Sequence, residues 1–140
     1  MTLLGVKPST RDIDFTGKGD DIRLFKRTCR SIPHGMKIDT YADGLIFQTQ
    51  LPDDYLTRSR KVESARQFKR IRLKALHPLD IVVTKIGRLD DRDKQDIKDC
   101  IRKFRLKKSD VKLRASQVDY IGVTEHFEHH LHLVLSRFFR

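Results

Sequence analysis

Cysteine is scarce in this chain of 140 residues: there are two, Cys29 and Cys100, with no spacing that would pair them into a metal site. They read as buried thiols of a cytosolic protein and exclude a disulfide framework. Long hydrophobic runs are also missing. No stretch approaches the ~20 apolar residues of a membrane helix, and the N-terminus lacks the apolar core of a signal peptide. The expectation is a soluble, cytoplasmic protein with no membrane partner. Neither an internal repeat nor a low-complexity segment is visible. Acidic residues are in short supply, 19 Asp+Glu against 30 Lys+Arg, for a net charge of +11. Such a balance favours polyanionic partners, nucleic acid or nucleotide phosphates. A charge-rich surface that serves only solubility or heat resistance accounts for it equally well.

Several of the acids lie in short clusters, at Asp12/Asp14, at Asp53/Asp54 and between Asp90 and Asp99. With 38% hydrophobic and 35% charged residues in 16.5 kDa, the chain makes one domain with a real core. The pattern predicts a strand over residues 10–15. Alternation puts Asp12 and Asp14 on one face and Ile13 and Phe15 on the other. Two carboxylates so placed repel unless a cation lies between them, and hard oxygen ligands suit Mg²⁺. A surface strand with two solvated acids is the ordinary alternative.

A helix is expected from a cap at Asp20 or Asp21 to about Ser31, with Ile22, Phe25 and Cys29 on its apolar stripe. A second strand, residues 36–41, points Met36 and Ile38 one way and Lys37, Asp39 and Tyr41 the other. Asp43-Gly44 then offers a hairpin turn, after which residues 45–50 are expected to return as the partner strand. Residues 68–76 read as a half-exposed strand with a basic outer face of Arg70, Arg72 and Lys74 and an inner side of Ile71, Leu73 and Ala75. Pro78 opens a largely apolar helix in which Lys85 is conspicuous, since a lysine there needs a carboxylate partner or a functional task. Another helix opens at residues 91–93, carries Ile97, Cys100, Ile101 and Phe104 on one stripe, and pairs Asp99 with Lys103. Ser109 is expected to cap a short helix, and residues 124–140 form a last one. Its His126, His129 and His130, with His132 nearby, make a zinc site imaginable, but no cysteine or matching ligand pair supports it.

Two blocks carry a resemblance. Gly5-Val6-Lys7-Pro8-Ser9-Thr10-Arg11-Asp12-Ile13-Asp14-Phe15 is similar to a "G-x-R-x-S/T-x-D-I-D-hydrophobic" segment. Leu79-Asp80-Ile81-Val82-Val83-Thr84-Lys85-Ile86-Gly87-Arg88, with Arg92-Asp93-Lys94-Gln95-Asp96-Ile97 after it, is similar to a "D-L-h-x-x-K-h-x-R … R-D-x-x-D-h" segment. Both belong to the minimal nucleotidyltransferases of the DNA polymerase beta-like superfamily, and the chain most resembles the prokaryotic group related to abortive-infection and toxin–antitoxin nucleotidyltransferases. The resemblance implies an α+β fold, a mixed β-sheet with helices packed on it. Its core spans residues 1–105, and residues 106–140 form a helical extension of the same domain.

The resemblance further implies two Mg²⁺ ions and an NTP substrate. Asp12 and Asp14 match the paired metal ligands, and Asp39, on the next expected strand, is the candidate for the third carboxylate, which would bind metal and help activate the attacking hydroxyl. Lys85 matches the lysine that faces the nucleotide, and Thr10, Arg11 and Arg88 are the further nucleotide-binding positions. Asp80, Arg88, Arg92, Asp93 and Asp96 match the second block and are explained equally by structural ion pairing. The family also places a Gly-Gly or Gly-Ser pair on a helix start ahead of the aspartates, to hold the triphosphate. Met1 falls where that helix should already be under way, which implies either a start upstream or a lost triphosphate grip.

Three functions are expected on these grounds. The first is Mg²⁺-dependent transfer of a nucleoside monophosphate to a hydroxyl of RNA (tRNA-like) or protein, with a cognate antitoxin as partner. The second is an inactive domain on the same fold that binds RNA or nucleotide. The third is a structural or partner-binding protein.

Overall fold

The computed structural model describes residues 1–9, 12–62 and 71–139. Thr10, Arg11 and the first part of the expected basic strand, residues 68–70, lie outside the described residues. The fold is α+β, with parallel and antiparallel strands distributed over three small sheets.

The first unit is a strand, a helix and a parallel strand: β1 (Asp12–Gly17), α1 (Gly19–Ser31) and β2 (Lys37–Ala42). Parallel strands cannot be joined by a tight turn, so α1 serves as the crossover. The register sets Asp12 against Lys37, Asp14 against Asp39 and Thr16 against Tyr41. Ile22, Phe25 and Cys29 are the half-buried positions of α1, as the periodicity predicts. Phe25 meets Phe15 with ring centroids 4.7 Å apart. Because α1 covers the Phe15 face, strand alternation leaves Asp12 and Asp14 on the other. The helix start differs from expectation. Lys18 is the N-cap, without a side-chain cap bond, and Asp20 and Asp21 sit in the first turn. The Asp43 carboxylate accepts from the Gly19 N–H at 3.0 Å, so a distant turn supplies the oxygen that the local acids do not.

Asp43 and Gly44 turn the chain after β2, both with positive φ. Residues 45–50 do not return as one strand. They fold on themselves as β3 (Leu45–Ile46) and β4 (Thr49–Gln50), which pair antiparallel, and β4 pairs in turn with β7 (Asp119–Tyr120). The two-residue loop between them is Phe47-Gln48, with φ of 49° and 64°. A tight hairpin requires positive φ at both central residues, and there it ordinarily takes Asn or Gly. Here a phenylalanine and a glutamine adopt it, at a cost of roughly 1–2 kcal/mol each.

The helical half is organised around α3 (Pro78–Arg88), against which α4 (Asp91–Phe104), α5 (Lys108–Ala115), α6 (Thr124–Phe138) and β4 all pack. Val82, Val83 and Ile86 of α3 and Ile97 and Cys100 of α4 are fully buried, each large aliphatic contributing roughly 1.5–3 kcal/mol. Pro78 stands in the first turn, and the His77 ring accepts from the Leu79 N–H as cap. A short helix, α2 (Tyr55–Arg58), and the paired β5 (Arg60–Lys61) and β6 (Lys74–Ala75) complete the fold. Of the expected strand over 68–76, only Lys74–Ala75 is strand among the described residues. Ala75 is buried as predicted, but Ile71 is 54% exposed. Two further expectations fail locally. Asp99 pairs with Arg102 rather than Lys103, whose ammonium donates to the Gly5 carbonyl. The N-cap of α5 is Lys107, and Ser109 lies inside the first turn.

Asp80 is fully buried and accepts from Arg114 Nε at 2.5 Å, while Arg114 Nη2 reaches Asp54 at 2.8 Å. The pair ties α3 to α5. Burial pushes the Asp80 pKa up although Arg114 opposes it. No helix among the described residues is long and apolar enough to cross a membrane.

Helix α3 and the β3–β4 loop touch at Gly87. A methyl there would collide with the Thr49 hydroxyl and stand 2.9 Å from the Phe47 carbonyl. Gly87→Ala should therefore destabilise the protein by about 1–3 kcal/mol, the usual cost of overpacking, which urea unfolding would measure against an exposed control such as Ser136→Ala.

Candidate active site

The carboxylates singled out in the sequence come together on one face of the β1–β2 pair. Asp12 and Asp14 are two residues apart on β1, and Asp39 lies beside Asp14 in the neighbouring strand. Parallel neighbours are ~4.8 Å apart, so Asp14 has a like charge on either side. Its pKa is raised, first by partial desolvation at the sheet surface and then by the charges of Asp39 and Asp12, while Lys85 and Arg88 work the other way. Asp39 is met by Lys37 of its own strand, at 3.1 Å.

Helices α3 and α4 supply the cationic side. Leu89, in the left-handed region, ends α3, and Asp90 caps α4 by a reciprocal bond pair with Asp93. This reversal aims Asp93 and Asp96, one turn apart on α4, at Lys85 and Arg88 on α3. Lys85 Nζ donates to Asp93 at 2.8 Å and stands 2.9 Å from Asp96. Arg88 grips Asp93 with two parallel bonds of 2.7 and 2.9 Å. Burial opposes the ionisation of Asp93, but the bonds from Arg88 and Lys85 outweigh it and hold its pKa below the ordinary value. Lys85 is likewise disfavoured by burial and rescued by Asp93 and Asp96, so its pKa rises. Lys7 adds an ion pair to Asp96 at 2.5 Å.

The conspicuous lysine thus has its carboxylate partners, two of them. Its side chain is 13% exposed and bound to both. Arg88 is freer: its guanidinium lies over the Phe47 ring, 3.9 Å from the centroid, and its charge is felt at Asp14. Thr10 and Arg11 lie outside the described residues. Sequence reasoning did not single out Tyr41 and Phe47, whose rings meet edge to face at 5.5 Å. Burial and then the charges of Asp14 and Asp39 push the Tyr41 hydroxyl up to about 12, so it sits in the field of both carboxylates. Tyr41 shares strand parity with Asp39, a signal the sequence did carry. Phe47 had none.

Among the described residues no group of three or more His, Cys, Asp or Glu side chains is gathered so as to hold a metal ion. For α6 this leaves a structural role to one histidine, His130, whose Nδ1 lies 2.9 Å from the Ile86 carbonyl. For Asp12, Asp14 and Asp39 it means that the trio is not drawn into a finished cage. The donor set still fits Mg²⁺ in kind, being hard oxygens on one face whose mutual repulsion a dication would relieve.

A family model described as "Nucleotidyltransferase of unknown function (DUF6036)" matches residues 3–113. The chain belongs to this nucleotidyltransferase family. The matched stretch contains Asp12, Asp14, Asp39, Lys85 and Arg88 and ends inside α5. Searches of curated proteins and of solved structures each found no match.

The charges of the site lead to two expected outcomes. Asp14 holds its proton more tightly folded than unfolded. Its ionisation therefore costs stability as pH rises through the range just above 3.8, and the cost persists at neutral pH. Solvent screening keeps the effect small. Asp14→Asn should raise the melting temperature at pH 7 without metal and remove any stabilisation by Mg²⁺, both read by thermal denaturation. Lys85→Met should do the reverse, destabilising by about 3–5 kcal/mol because Asp93 and Asp96 keep buried charge without their shared partner; denaturant unfolding measures it.

Proposed function

We propose that the protein is a Mg²⁺-dependent nucleotidyltransferase that moves a nucleoside monophosphate from an NTP to a hydroxyl acceptor on RNA or protein. The observation that carries this reading is the register of Asp14 against Asp39 beside Asp12, within a chain of nucleotidyltransferase family. Asp12, Asp14 and Asp39 would hold the metal, which would supply charge neutralisation for the transferred phosphoryl group. In the reaction the acceptor oxygen attacks the α-phosphorus, the bond to the bridging oxygen breaks, and pyrophosphate leaves. Asp39 takes the hydroxyl proton. Arg88, anchored by Asp93, presents positive charge beside Asp14 on the side where a triphosphate would lie. Lys85 acts as a positioning residue, fixing Asp93 and through it Arg88.

The charge of +11 suits both an NTP and an RNA acceptor. The resemblance to abortive-infection and toxin–antitoxin nucleotidyltransferases extends the proposal to a cognate antitoxin as partner. A second reading, a nucleotide- or RNA-binding domain without catalysis, is favoured by the capture of Lys85 by two carboxylates.

Incubation with Mg²⁺, each α-labelled NTP in turn and total RNA separates the two readings. Label should enter RNA or protein with the wild type, fall to background with Asp12→Ala/Asp14→Ala, and disappear with EDTA. NTP binding without label transfer under any condition would instead support the inactive domain.

A further inference from the structure

Beside the carboxylate face lies an open cleft of about 390 Å³ lined by Tyr41, Leu45, Phe47, Gln48 and Ile121. Its walls are apolar and two of them are aromatic. Ile121, at its mouth, is 56% exposed and so leaves apolar surface open to whatever enters the cleft. The cleft is continuous with the candidate site. Tyr41 comes two residues after Asp39 on the same face of β2, a step of about 7 Å along the strand. Arg88 covers one side of Phe47 and sends its charge to Asp14.

The cleft is also built. Phe47 and Gln48 are held in left-handed conformations that neither residue favours. They are locked there by the Gly87 crossing, by Ile121 N–H donating to the Gln48 carbonyl at 2.8 Å, and by Tyr120 Oη donating to Gln48 Oε1 at 3.0 Å. Strain of this kind gathers where a side chain must be presented in one place. The Gln48 side-chain amide, beside Tyr120 Oη, stands at the polar edge of an otherwise apolar slot.

We infer that this cleft seats the base of the NTP, stacked against one of the two rings, Phe47 or Tyr41, edge-on to the other and bordered by Gln48, with the ribose spanning the step from Tyr41 back to Asp39. The inference rests on the nucleotidyltransferase reading of the carboxylate face. A planar ring with polar edges fits two aromatic walls and one side-chain amide, and stacking of this kind tolerates any base while a single hydrogen bond biases the choice.

Binding of the Mg²⁺ complexes of ATP, GTP, CTP and UTP, and of inorganic tripolyphosphate, to the full chain tests it by calorimetry. At least one NTP should bind about tenfold or more tightly than tripolyphosphate, the worth of one stacked base. Phe47→Ala should erase most of that margin, and Ile121→Ala should reduce it about threefold while leaving tripolyphosphate affinity unchanged. Ile121→Ala decides the matter if Phe47→Ala fails to fold, because Ile121 is exposed. Equal binding of NTPs and tripolyphosphate, untouched by the variants, would overturn the base seat and leave the transferase reading standing. Loss of affinity for a short RNA in the variants, with NTP binding unaffected, would assign the cleft to the acceptor and also overturn it. Binding of neither NTP nor tripolyphosphate would overturn both readings.

Discussion

The buried carboxylate of Asp93 is the interaction on which the rest of the structure depends. It takes bonds from Lys85, from both forks of Arg88 and from the Asp90 backbone. Those bonds fix the angle of α4 against α3, close the cap of α4, and hold Arg88 where it can lie over Phe47. A carboxylate with no exposure is costly unless every lone pair is used, and here nearly all are. The same end of α3 therefore orders the helical core and delivers positive charge to the edge of the carboxylate face.

What the sequence disclosed depended on whether a local period carried the information. Asp12, Asp14 and Asp39 were legible as residues of equal parity on two strands, and the structure puts Asp14 and Asp39 in register. The aromatic partner Tyr41 was legible by the same rule. Lys85 was legible as an anomaly in an apolar helix, but its partners, eight and eleven residues on, depend on how sharply the chain reverses at Leu89. The Phe47-Gln48 loop was illegible. Neither residue is a turn former, and the conformation is imposed by β7 and Gly87, both far away in sequence. The cap of α1 was misplaced for a related reason: Asp43, 24 residues from Gly19, outcompetes the adjacent acids.

Helix α3 is held at both ends by charge of the sign that its dipole favours. Asp80 near its start binds Arg114, and Lys85 and Arg88 near its end bind Asp93 and Asp96. The apolar residues between them fill the core. Part of the chain's lysine and arginine is thus used inside the molecule, on orientation.

The parallel pairing of β1 and β2 gives the carboxylate face a property unlike that of a site built on loops. The separation of Asp14 from Asp39 is a strand pitch, written in main-chain hydrogen bonds that are the same for any sequence. Side-chain replacements nearby can alter charge, hydration or the walls of the cleft without changing that dimension. What the surroundings recognise and how far apart the two acids stand are thus set by different parts of the chain, the first by side chains and the second by a main-chain ruler.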